Sequence, residues 1–191
     1  VGHIGRVLGH IGARDLGDLG SLGHAEDGYL LTGCLLGDVL LKVSGADAFG
    51  KSMHDQCLTV NKKYGIEVLH EETYQPADND MTAQLTKIKG SAAQAVVNAG
   101  FGQGPAIVTR NYRQVGLTLP LYQSHGVASK EYIKLSGAAA DGVRLPAAAL
   151  LVSELLASGD AQKPVVSAYR KAFEDKFKAD VSTFGGHAYD G

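Results

Sequence analysis

The chain has no tryptophan, two cysteines and five prolines in 191 residues, and its apolar runs all fall well short of membrane-spanning length. Each scarcity removes a class. Without about 20 consecutive apolar residues no helix crosses a bilayer, so a soluble chain is expected. Cys34 and Cys57 cannot supply a disulfide framework and leave the redox compartment open. Charge of one sign is lacking too: 18 basic residues stand against 20 acidic ones, interspersed, for a net charge of -2. A nucleic-acid partner would call for a basic face, so none is expected. At Val1 there is no basic stretch followed by an apolar segment and a small-residue cleavage site. The length suffices for one core-forming domain, or one domain plus a fragment.

What is present divides unevenly. Residues 1–45 hold eleven of the 25 glycines, repeat GHIG twice, and contain no proline and one aromatic, Tyr29. Glycine at that density weakens helix and strand alike. The segment is therefore expected to be atypical, disordered or read from a wrong frame. Its GHIG repeats lack the preceding strand and the following Lys-Ser/Thr of a phosphate loop. His3, His10 and His24 lack the cysteines or paired spacing of a metal site, and no metal is expected.

From Met81 to Gly137 a rhythm appears. Met81, Leu85 and Ile88 recur at helical spacing, with Asp78 or Asp80 as cap and Gly90 as stop. Ala95–Val97 reads as a strand, GFGQG as a loop, and Pro105 opens a helix that Gly116 ends. Leu119–Tyr122, Gln123–Ser129 and Lys130–Leu135 repeat the order, closed by Gly137. Strand, loop and helix in alternation predict an α/β fold, a parallel sheet flanked by helices, with ligands outside the carboxyl ends of the strands.

The flanks extend the pattern. Lys51–Tyr64 is expected as a helix burying Met53, Cys57 and Val60, followed by a strand over Ile66–Leu69. His70, Glu71 and Glu72 read as a solvated loop at that strand's end, not as a metal or acid/base cluster. Gly142–Ala148 is expected as a strand into a crossover with Pro146 near a hinge. Pro164 opens a helix whose stripe is Val166, Tyr169, Phe173 and Phe177, and a further helix begins at His187. The stripe is core-seeking, and if left uncovered it predicts aggregation or dimerisation. Ser182–Tyr189 offers a serine and a histidine but no nucleophile elbow for a hydrolase. GFGQG differs from a dinucleotide fingerprint: its third glycine is one position early and no acid follows at ribose distance, so no cofactor is expected.

The blocks DAFGKS, DMTAQLTKIKG, GPAI, LPLYQSHGVASKEYIKLSG, GVRLPAAALLV and STFGGHAYDG stand in order over about three quarters of the chain. They resemble the substrate-binding proteins of branched-chain-amino-acid-type ABC transporters, the type I periplasmic binding proteins. The resemblance implies two lobes joined by three crossovers, with ligand clamped between them. On it, 46–148 corresponds to a ligand-binding lobe and 149–191 to a crossover and a partial returning segment of the other lobe, the chain being truncated at both ends. It also implies a non-enzymatic receptor, periplasmic or lipid-anchored, which delivers a small carboxylic acid or amino acid to the membrane subunits of an ABC permease. Alternatives are a ligand-sensing regulatory α/β domain or a lobe without binding activity.

The ligand-binding residues implied are Phe49, Phe101, Gly102, Gln103, Ser124 and His125. Phe49 lines the cleft or packs on its own helix; Phe101 lines it or joins the core. His125 stands where amino-acid-binding members carry an acid, or else it caps the helix near Ala128. A histidine cannot counter an ammonium, and two phenylalanines replace common tyrosines. These changes favour an acid with an apolar or aromatic body over a leucine-like zwitterion. The helix at Pro105 is expected to offer its amides to the acid.

Overall fold

Four parallel strands order the chain. The computed structural model describes residues 39–64 and 66–190; the GHIG repeats, His3, His10, His24 and Cys34 lie outside them. The elements used below are β1 (Val39–Gly45), α1 (Ala48–Tyr64), β2 (Glu67–Tyr74), α2 (Thr82–Ile88), β3 (Ala95–Ala99), α3 (Gly104–Gln114), β4 (Leu121–Gln123), α4 (Lys130–Ser136), α5 (Lys163–Phe177) and α6 (Thr183–Asp190). The strand order is β2-β1-β3-β4, and every pairing is parallel.

From β1 the chain crosses one way to β2, then back past β1 to β3 and on to β4. Right-handed crossovers in opposite directions put α1 on one face and α2 and α3 on the other. The larger core joins Met81, and Leu85 and Ile88 of α2, to Val108 and Tyr112 of α3 over Val43, Val96 and Leu121 of the sheet. Ala95, Val97 and Tyr122 point to the opposite face with Ile66. All of β3 is buried, as an inner parallel strand requires, and the short edge strand β4 is buried too, with Arg144 bridged to its outer side.

Several expectations need correction. Strand β1 begins at Val39, inside the segment read as atypical up to residue 45, and it lies between two neighbours. In VLLKVSG the apolar residues Val39, Leu40, Leu41 and Val43 do not alternate, a pattern common in strands with a parallel neighbour on each side. Helix α1 starts at Ala48, three residues early, because Asp47 caps it: its Oδ1 accepts the Gly50 N–H at 2.8 Å. Met53 and Cys57 are buried as expected, but Val60 is half-buried and Asn61 takes the buried place.

His70, Glu71 and Glu72 are not loop residues. They lie within β2, which runs on to Tyr74 alongside β1, with a register shift between Leu40 and Leu41. An edge strand open to water tolerates charge. There Glu72 meets His70 at 2.7 Å and Lys87 at 3.1 Å, and His54 meets Glu71 at 3.4 Å. Burial alone would raise the Glu72 pKa, but the bonds from Lys87 and His70 outweigh it and hold the carboxyl below its usual range.

Residues 142–148 form no strand. Arg144 alone bridges to β4, through its N–H to the Leu121 carbonyl and its carbonyl to the Gln123 N–H, and Pro146 cannot continue a ladder. Helix α6 starts at Thr183, four residues before the expected His187, with the Ser182 hydroxyl accepting from Gly185 N–H. Helix α5 carries its expected stripe, yet none of its residues is buried.

Tyr74, at the end of β2, decides the shape of the GFGQG loop. Its side chain is buried beneath that loop. A Cβ on Gly104 would meet the ring edge at 2.5 Å, and one on Gly100 would run into the hydroxyl. Burial pushes the Tyr74 phenol up to about 12, against a partial offset from Asn98, with the nearby Asp47 adding to the rise. Burial likewise pushes Tyr112 to about 12, and it raises Tyr132.

Gly104→Ala is expected to cost about 1–3 kcal/mol by overpacking, and markedly less in a Tyr74→Leu background. Urea unfolding of the four proteins measures this; equal costs in both backgrounds would remove Tyr74 as the cause. Because the folded state raises these phenols, their stabilisation is complete below the unfolded value near 10 and is lost as pH rises toward 12. Urea midpoints followed with phenolate absorbance should fall through that window.

Candidate functional site

Strands β1 and β3 are neighbours from which the chain departs in opposite directions, so their carboxyl ends flank an opening in the crossover pattern. The first turn of α1, just past β1, carries Phe49, the loop after β3 carries Phe101, and the turn after β4 carries His125. The three rings meet there. Phe49 lies edge-on to Phe101, with centroids 5.8 Å apart at 87°, and edge-on to His125 at 5.8 Å and 67°. Phe101 is 54% exposed, so it is a loop aromatic held outside the core. Phe49 and His125 are half-buried.

Each ring is placed by local chemistry. Asp47 starts α1 and so sets Phe49 in its first turn. Gly50 follows because its Cα packs on the Gly45 carbonyl, where a Cβ has no room. Gly102 has a φ of +69°, a turn that L side chains rarely adopt, and this lets the chain double back after Phe101. Ser124 fixes the two loops to one another. Its hydroxyl donates to the Gly100 carbonyl at 2.7 Å, and its N–H donates to the Asn98 carbonyl at 3.0 Å. His125 opens a single 3-10 turn, His125–Val127. Ser129, whose Oγ accepts the Tyr132 N–H at 3.1 Å, caps α4, so the capping role considered for His125 belongs to Ser129.

Around the start of α3 the geometry limits what a ligand can reach. Gly104 does not leave backbone room for a ligand, because the Tyr74 ring occupies that side. The first turn of α3 is also largely spent. Ala106 and Ile107 both donate to the Gln103 carbonyl, and Pro105 has no N–H. At most Gly104 keeps a first-turn amide for an acid. Gln103 itself is exposed beside Phe101.

Beneath the rings runs a buried polar chain that sequence reading missed. Asn98 Nδ2 donates to Gln123 Oε1 at 2.7 Å, and Gln123 Nε2 donates to Thr109 Oγ1 at 2.9 Å. Thr109 Oγ1 lies 2.8 Å from both the Pro105 carbonyl and the Tyr132 hydroxyl. Asn98 and Gln123 are wholly buried at the ends of β3 and β4. The signal was available: each is an amide closing an otherwise apolar strand run. Among the described residues, no group of three or more His, Cys, Asp or Glu side chains could hold a metal ion, and no helix is long and apolar enough to cross a membrane.

Comparisons with known proteins agree with this arrangement. A sequence profile described as "Periplasmic binding protein" matches residues 40–191. Over 95 residues the chain is 27% identical to the Leu/Ile/Val-binding protein homolog 3 of Brucella melitensis, covering 50% of this chain and 26% of that protein. A putative branched-chain amino acid ABC transporter protein of Rhodospirillum rubrum is similar at 25% identity and a TM-score of 0.69, over 86% of this chain and 45% of that one. An extracellular ligand-binding receptor of Rhodopseudomonas palustris HaA2 shares the fold at 24% identity and a TM-score of 0.72, over 87% of this chain and 46% of that one. The chain thus spans about half the length of these solved relatives and about a quarter of the curated one. With strand order, crossover pattern and a profile match over most of its length in agreement, the chain belongs to the periplasmic binding protein family.

Proposed function

We propose that this chain supplies one wall of the ligand cleft of an extracytoplasmic solute-binding receptor that serves an ABC permease. The observation that carries the reading is the convergence of Phe49, Phe101 and His125 where β1 and β3 end. Similarity to a branched-chain amino acid ABC transporter protein and to a Leu/Ile/Val-binding homolog supports the transport role. The ligand is a small carboxylic acid with an apolar or aromatic body, preferred over a zwitterionic amino acid. Its body lies against the two phenylalanine rings, burying apolar surface on both. Its carboxylate takes a hydrogen bond from the His125 imidazole, which brings no negative charge to pair with an ammonium. Gly102 and Gln103 form the rim beside Phe101. Ser124 holds the Gly100 carbonyl and so keeps the loop in place, in contact with the ligand only through its neighbours. Residues 46–148 act as the binding lobe and 149–191 as the connection onward. No bond is made or broken in this role: closure around the ligand is the signal a permease would read.

Saturating small aromatic and aliphatic acids should raise the melting midpoint by several degrees at about a hundred times the dissociation constant. Leucine and valine should raise it less. His125→Ala should weaken binding of the best acid about tenfold or more, and Phe49→Ala should do the same without loss of a cooperative melt. A shift with leucine that exceeds every acid would overturn the ligand class; no shift with any member would overturn the binding role of this chain.

A further inference from the structure

A second opening begins just after the same turn. Val127 and Ala128, two and three residues after His125, line a cleft of ≈ 270 Å³. One wall is Val127, Ala128, Ile133 and Leu145; the other is Leu151 and Val181 from the C-terminal segment. Such a volume sits at the small end of ligand-sized clefts, about 300 Å³ and upward.

The polar groups around it are already committed. Lys130 pairs with Asp180 across the two walls. Arg170 pairs with Glu174 at 2.9 Å and with Glu154 at 3.2 Å. Ser129 caps α4, Ser182 accepts from Gly185 N–H, and the Tyr132 hydroxyl is shared with Thr109. Glu131 lies in the first turn of α4, where the helix dipole favours a carboxylate. The lining carries two cations and three carboxylates, so an added anion meets no spare positive charge. These pairs stand at the solvent-exposed rim of the cleft and offer a guest little beyond what water offers them. What remains to a guest is apolar wall.

We infer that this cleft is a binding site for a small uncharged apolar molecule, of aromatic-ring or branched-alkyl size, distinct in place and chemistry from the acid site at the strand ends. Its occupant would touch both the sheet-bearing part of the chain and the segment after Leu145, bracing one against the other.

Toluene, benzoate and benzylamine have one ring size and three charges, so they separate the possibilities. Methyl and aromatic-ring NMR of the 191-residue chain are followed during titration with each. Toluene is expected to shift the methyls of Val127, Leu145, Leu151 and Val181 saturably, with benzoate and benzylamine at least tenfold weaker there. Ala128→Leu from one wall and Val181→Phe from the other should each abolish the toluene shifts while a cooperative melt persists. The second variant stands in if the first fails to fold. Tighter binding of either charged probe at these methyls, toluene shifts confined to the strand-end rings, or unchanged toluene binding in a folded filled variant would overturn the inference. Benzoate shifts at His125 report on the acid site alone, so failure of one site leaves the other readable.

Discussion

The carboxyl end of the sheet depends on a buried chain of hydrogen bonds from Asn98 through Gln123 and Thr109 to Tyr132. Polar side chains with no access to water must find partners within the protein, and leaving one unmade costs about 1–3 kcal/mol. Here the partners belong to β3, β4, α3 and α4, so meeting that requirement fixes four elements at once. Tyr74 adds β2 from the side, its ring wedged under Gly100 and Gly104. Chains of this kind strengthen as they lengthen in a medium of low dielectric, and they admit few alternative arrangements. Loops rooted in such a floor hold their side chains in place without being buried. That is how Phe101 can be largely exposed and still keep its edge against Phe49.

Topology explains why the rings meet at that spot. Helices α1 and α3 leave neighbouring strands for opposite faces, and the sheet's carboxyl edge is uncovered between them. Many chemistries have been built on such an edge. The glycines of GFGQG resemble those that let a backbone approach a phosphate, but Tyr74 fills the space that Gly104 opens, and the first-turn amides of α3 are mostly bonded to Gln103. What is left is two aromatic edges and an imidazole, suited to an apolar body with one hydrogen-bonding end.

The segment after Leu145 obeys different rules. Tyr169, Phe173 and Phe177 stack along α5, and Tyr189 of α6 lies 4.7 Å from the Tyr169 ring. The Tyr169 hydroxyl donates to the Gly185 carbonyl at 3.2 Å, and salt bridges line the opposite side. These aromatics pack chiefly on one another, and no α5 residue reaches full burial. The helix period was plain in the sequence. Burial was not, because a period tells which residues share a face and not what lies against it.

The same distinction runs through the whole molecule. Helical spacing marked Met81, at the N-cap of α2, and Leu85 and Ile88 within it as buried, Pro105 and Pro164 marked the starts of α3 and α5, and strand–helix alternation implied a parallel sheet. These are consequences of backbone geometry and apolar spacing, which one sequence carries in full. The length of β2 was misjudged because a charged run looks like a loop until an edge position makes it tolerable. Strand β1 was hidden because its apolar residues do not alternate, as is usual for a strand with a parallel neighbour on each side. Asp47 as a cap was legible in kind but not in place. The union of Phe49, Phe101 and His125, separated by tens of residues, and the amide chain beneath them belong to tertiary structure alone. Contacts between distant loops are set by which strands become neighbours, and that choice is made by packing and crossover handedness, which local spacing does not encode.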